Sequence, residues 1–328
     1  WLSCDGVVEK MSGYTLEIPA LLAVSSSLGL SFLFVASLYF WTLVGYGNAG
    51  RDEPGTIQRR FVSTLLTCAC SAVLIFGLAQ PAHETEGFTR LELLGLQVEG
   101  ILRACLACLA LTASLFAGPI VQGCIAWCTG SSTVSSDTMW IRLRGLVMAP
   151  ITEEFVFRAC LMRLCVAARF PVWAILVFSP ACFAMAHAHH FLEHIRKARA
   201  QGLIQNGRSP DGSSEYGLLH AKRHLNAAVK RAVIEVAFQI FYTSLFGVYS
   251  SFLLWRTGST VAVILAHAFC NYQGFPDLGF CGYNGHSLYR YRLLLGGLYI
   301  IGIIAFCVLM MPITSGCDSP FSPDATSM

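Results

Sequence analysis

Residues 149–162 read APITEEFVFRACLM, and the fold turns on whether this run lies in water or in lipid. Two adjacent glutamates, Glu153 and Glu154, and an arginine, Arg158, interrupt an apolar stretch over about 140–168, which also carries Arg142, Arg144 and Arg163. On a soluble helix these charges would mark the solvated face. The rest of the chain argues against that reading. Its 328 residues are 55% hydrophobic and only 12% charged, and its mean hydropathy is +0.59. Soluble domains carry about 25% charged residues, so this surface is too apolar to face water throughout. Lipid is the solvent for most of the chain. An ionisable group near mid-span costs about 2.5–3.5 kcal/mol, so Glu153, Glu154 and Arg158 are expected to face the bundle interior, paired or at work.

A spanning helix needs about 20 mostly apolar residues. Eight stretches qualify or nearly do: 19–46, 61–80, 93–118, 140–168, 171–191, 232–256, 258–271 and 293–312. The stretch at 258–271 is short, and 119–128 reads as a further re-entrant or interfacial piece. The expectation is an all-α integral membrane protein of about eight transmembrane helices. It forms a single polytopic domain over 1–328, with a catalytic core at about 140–280. The segment 192–231 holds eight Lys or Arg and a centre rich in Gly, Ser, Asn and Asp, which marks it as a flexible cytoplasmic loop. Alternation of the spans then places Arg51, Arg59, Arg60, Arg290 and Arg292 on the same side and both termini in the lumen. Residues 1–16 lack the pattern of a cleavable signal peptide, and the last residues carry no CaaX cysteine.

The net charge of +3 and the absence of basic stretches interleaved with aromatics give no reason to expect nucleic acid as a partner. Most of the fourteen cysteines sit within apolar runs, and Cys105 and Cys108 lack a second CxxC or a histidine pair. They read as small packing residues.

Three polar clusters carry the chemistry. In the first, Glu154 and Arg158 are four apart and share a helical face, while Glu153 lies about 100° away with no local partner. In the second, Phe183 and His187 are four apart at the end of the fifth stretch, with His189 close behind and His190 and His194 trending towards the basic loop. In the third, His267 and Asn271 are four apart, two convergent donors of the kind an oxyanion hole requires. No serine or cysteine stands in an activated context such as GxSxG, which leaves water as the nucleophile. The HExxH string of a zinc protease is absent. Glu153, His187 and His267 could still assemble a two-histidine, one-carboxylate metal site across three helices, although the donor Asn271 beside them favours metal-free chemistry.

At these residues the chain resembles the type II CaaX prenyl proteases, within the larger family of abortive-infection-like membrane proteins. The family's EExxxR, FxxxH and HxxxN motifs match in order as Glu153-Glu154…Arg158, Phe183…His187 and His267…Asn271. The strings FAMAHAHHFLEH (183–194), FQIFYTSLFGVYSSFLLWRTGS (238–259) and HAFCNYQGFPD (267–277) resemble its eukaryotic members. The resemblance implies a metal-free, cofactor-free intramembrane glutamate protease of the endoplasmic reticulum, with its active site reached from the cytosol. Its substrates would be prenylated CaaX proteins such as small GTPases, met in membrane lipid, from which it would cut the last three residues. Glu153 would act as the general base, with His187 helping to hold and deprotonate the water. His267 and Asn271 would stabilise the oxyanion, and Glu154 and Arg158 would support the site. A non-catalytic scaffold, a transporter and a zinc-dependent membrane protease are the competing readings.

Overall fold

The computed structural model describes residues 13–46, 50–82, 87–131, 137–187, 215–282, 284–317 and 319–321. The protein is a mostly helical, multi-pass membrane protein. Its main helices are α1 (Ala20–Trp41), α2 (Pro54–Leu78), α3 (Ile101–Leu115), α4 (Ala117–Cys128), α5 (a continuous helical run over 139–167), α6 (Val172–His187), α7 (Glu215–Thr257), α8 (Thr260–Gln273) and α9 (Arg292–Ile313). A two-residue pairing of β1 (Tyr14–Thr15) with β2 (Gln80–Pro81) is the only sheet among the described residues.

Among the described residues, four segments are long and apolar enough to cross a bilayer: Ala20–Tyr46, Pro54–Leu78, Val229–Thr257 and Tyr289–Ile313. The pair α3 and α4, bent by 73°, makes a fifth if taken as one span. The other three expected stretches are helical over most of their described residues, where α6 and α8 fall short of a span's length and α5 carries the charges.

Contacts at the helix ends put the chain through the bundle in alternating directions. At one end Ile18 N–H donates to Ala167 O, Thr260 N–H to Gly95 O, Arg163 to the carbonyls of Leu93 and Pro320, and Arg256 to Thr314. At the other, Arg144 pairs with Asp52 at 2.7 Å, and Asn271 Nδ2 donates to Gly145 O at 2.8 Å. The helix interfaces use small residues, as expected where lipid gives no hydrophobic drive for helices to associate. A Cβ on Gly302 of α9 would lie 2.6 Å from Ser114 O, and one on Gly118 of α4 would lie 2.4 Å from the Tyr299 ring.

Two boundaries differ from the sequence expectation. The third stretch was expected from 93, yet α3 starts at Ile101. Gly95 and Gly100 both adopt positive φ (64° and 69°), a left-handed backbone that breaks a helix and that glycine adopts at little steric cost. The expected loop at 192–231 is helical from Glu215, because the sequence after Gly217 is rich in Ala, Leu, Lys and Arg, all good helix formers. Its first part lies outside the described residues, as do His189, His190 and His194. Every described cysteine is a free thiol.

Candidate active site

Helix α5 is built unevenly, and that unevenness positions the site. Two π-helical turns, Arg144–Met148 and Phe155–Cys160, flank the α-helical turn Ala149–Glu154 that holds both glutamates. Pro150 supplies a reason for the first. It has no N–H to give, and its ring crowds the carbonyl four residues back. Within each π turn a carbonyl receives a side-chain donor from another helix. Gly145 O accepts from Asn271 of α8, and Phe157 O accepts from Ser179 Oγ of α6 at 2.6 Å. The irregular backbone therefore docks α6 and α8 onto α5, which fits the tendency of π-bulges to occur at functional sites.

The adjacent glutamates face different surroundings. Glu154 is fully buried. Its Oε2 lies 3.2 Å from Arg158 Nε, and its Oε1 lies 2.6 Å from His267 Nδ1. The Arg158 contact is an ion pair without hydrogen-bond alignment. The guanidinium instead faces aromatic rings, 4.1 Å from the centroid of Phe183 and 5.8 Å from that of Phe246, where a desolvated cation is attracted to the π face. Glu153, one residue earlier, is only half-buried. It makes no hydrogen bond or ion pair with another described residue and points into open space. This is the separation expected from their 100° offset on the helix.

That space is a cavity of about 420 Å³. Glu153, His187, His267 and Asn271 line it together, with Phe183, Phe238, Gln239, Tyr242, Phe246 and Phe275 around them. Side chains far apart in sequence thus converge from α5, α6 and α8, and α7 closes the wall. The Nδ1 of His187 is 2.8 Å from Phe183 O, so Nδ1 donates there, and in the neutral ring Nε2 is the nitrogen with the lone pair. The FxxxH spacing has two uses here: Phe183 offers its ring to Arg158 and its carbonyl to His187.

His267 reaches the cavity with one ring nitrogen already engaged. With Nδ1–H given to the Glu154 carboxylate, Nε2 donates only when the ring holds both protons. The neighbouring Glu154 carboxylate would balance such an imidazolium, and the ring packs at a tilt against that of Phe246, with centroids 4.6 Å apart. Asn271 commits one amide hydrogen to Gly145 O, which fixes its side chain at the cavity edge. In the segment after α8, Asp277 accepts Gly279 N–H at 2.8 Å and lies 3.1 Å from His286 Nε2. These two contacts, the Gly279 bond first, hold the Asp277 carboxyl below the usual carboxylate range. The turn they form follows Phe275 directly and anchors it beside the cavity. Among the described residues no three His, Cys, Asp or Glu side chains come together in a way that could hold a metal ion.

Some of the site was not anticipated. Gly247 of α7 lets Pro180 and Arg158 approach: a Cβ there would stand 2.9 Å from Pro180 Cβ and 3.3 Å from Arg158 Nη2. A glycine inside a helix costs about 1 kcal/mol against alanine, so its presence was a readable signal of close packing. Gly247→Ala is therefore expected to displace Arg158 and lower turnover about tenfold, with a loss of about 1–3 kcal/mol from overpacking. Unchanged kinetics and unchanged unfolding temperature in Gly247→Ala would show that this contact positions nothing.

The fold and cavity define a polytopic helical membrane protein with a carboxylate–histidine site among its helices. A family model described as type II CAAX prenyl endopeptidase Rce1-like matches residues 135–273, which contain all three motifs. Human CAAX prenyl protease 2 is 32% identical over 303 residues, covering 89% of this chain and 81% of that protein. The proteins of the same name from Arabidopsis thaliana (26%, covering 89% of each chain) and Caenorhabditis elegans (27%, covering 88% of this chain and 95% of that one) are also similar. No solved structure gives a significant match. The chain belongs to the Rce1-like type II CAAX prenyl endopeptidases.

Proposed function

We propose that the protein removes the C-terminal aaX tripeptide from prenylated CaaX proteins, with Glu153 and His187 activating a water molecule in the 420 Å³ cavity. The observation that carries this reading is the convergence of Glu153, His187, His267 and Asn271 on one space from three helices. Water held between Glu153 and the lone pair of His187 Nε2 attacks the carbonyl carbon of the prenylated cysteine. Its proton passes to Glu153, a general base with no competing ion pair among the described residues. Negative charge grows on the carbonyl oxygen, where Asn271 and the Nε2–H of protonated His267 meet it. Glu154 balances that imidazolium and is itself held by Arg158. The C–N bond then breaks, the proton goes to the leaving amine, and the products are a prenylcysteine carboxylate and a free tripeptide. Glu154 and Arg158 act through His267 and touch no reacting atom. The chemistry calls on no metal or cofactor.

Substrates of this chemistry include prenylated small GTPases, delivered through membrane lipid. Their prenyl chain gains about 0.8 kcal/mol for each buried methylene, and the aromatic wall of the cavity suits it. The placement we favour is the endoplasmic reticulum membrane with the cavity open to the cytosol. Supporting it, His187, Asn271 and the Arg144–Asp52 pair sit at the end of the bundle where Arg51, Arg59, Arg60, Arg290 and Arg292 gather, and basic residues collect on the cytoplasmic side.

The test is tripeptide release by the purified protein from a farnesylated CaaX peptide and from its unprenylated counterpart, with and without a strong chelator. Release from the farnesylated peptide alone, unaffected by chelation, is expected. Loss of activity on chelation would turn Glu153 and the histidines into metal ligands, and a folded protein that cleaves neither peptide would refute the reading.

A further inference from the structure

A second cavity, of about 310 Å³, meets the first at a shared wall of Ala149, Glu153, His187 and Asn271. The two differ in lining. The first is walled by aromatic side chains of α7 and the segment after α8, whereas the second carries Arg51, Arg60 and Arg144 above an apolar floor that includes Phe34, Ile57 and Phe61. Glu153 is the one acidic residue lining it. Three arginines lining a space that ends at a candidate general base suit an anionic ligand whose reactive bond lies at a set distance from its charge. Arginine is the side chain best matched to a carboxylate.

We propose that this second cavity binds the aaX tripeptide, with its terminal α-carboxylate held by Arg144 in the positive field of Arg51 and Arg60. The prenylcysteine then lies on the aromatic side and the scissile bond at the shared wall. The inference rests on the proteolytic reading above. Its geometry follows from the helix. Arg144 precedes Glu153 by nine residues on α5, at most about 13 Å along the axis at the α-helical rise of 1.5 Å per residue. An extended tripeptide spans about 10 Å, so its carboxylate arrives within side-chain reach of Arg144. That guanidinium is already oriented, because Nη1 donates to Asp52 Oδ1 at 2.7 Å and to Arg51 O at 3.3 Å. Its other nitrogens remain as donors. Such a site measures length: a chain extended past the third residue would place neutral backbone where the carboxylate belongs.

The experiment compares a farnesylated CaaX peptide with its C-terminal amide and with the same peptide extended by two residues, on wild type, Arg144→Gln, Arg144→Lys and Arg60→Gln. In wild type, amidation is expected to lower kcat/KM about tenfold to a hundredfold, the usual effect of losing a charge-assisted hydrogen bond. In Arg144→Gln the free-acid and amide peptides should be cleaved at nearly equal rates, with Arg144→Lys intermediate and Arg60→Gln reduced to a smaller degree. A purely structural role for Arg144 would slow both peptides alike and preserve their ratio. Equal cleavage of acid and amide by wild type would overturn the subsite while leaving the proteolytic reading intact. Cleavage of neither would overturn the proteolytic reading itself.

Discussion

Glu153→Gln is expected to abolish tripeptide release while leaving the fold standing. The substitution keeps the size and shape of the side chain and removes only its ability to take a proton. A positioned general base contributes about 10²–10⁴-fold, so kcat should fall by roughly three orders of magnitude. Stability should barely change, because Glu153 is half-buried and no described hydrogen bond or ion pair depends on its charge. The measurement is single-turnover release from a farnesylated peptide, read beside thermal unfolding of the same preparation. Activity above about a tenth of wild type, from a protein that unfolds normally, would remove Glu153 from the role of base. Hydrolysis would then have to be carried by His187 alone.

The helices were largely readable in advance, because apolar length is written directly into composition. Each of the eight expected stretches holds a helix among the described residues, including the short 258–271. What could not be read was how the helices meet. The two π turns of α5 go with the missing N–H of Pro150, at the first, and with donors on distant helices, Ser179 and Asn271, whose partners no spacing rule identifies. Local i,i+4 logic found the Glu154–Arg158 pair but not the third member, His267, which lies 113 residues away from Glu154 in the chain. The arginine cavity was missed as well. Arg51, Arg60 and Arg144 had been assigned to membrane orientation or to the charge load of α5, and only the folded chain brings them around one space.

Glu154→Gln should behave in the opposite way to its neighbour, losing stability and activity together. The carboxylate is fully buried between Arg158 and His267, so its removal strands a guanidinium in a dry interior. Breaking one half of a buried ion pair costs about 3–5 kcal/mol, against almost nothing for Glu153→Gln. Turnover should fall about a hundredfold or more, because an imidazolium without its anion is a poor donor to the developing oxyanion. A second variant separates the two effects. In Glu154→Gln/Arg158→Met the stranded charge is gone, and replacing a buried ion pair by neutral side chains of similar volume is often harmless to stability. The double variant should therefore unfold near the wild-type temperature and still cleave poorly, since His267 remains unbalanced. If restoring stability also restored turnover, Glu154 would be a packing element alone. His267 would then have to donate as a neutral ring, with its proton on Nε2 and its Nδ1 accepting.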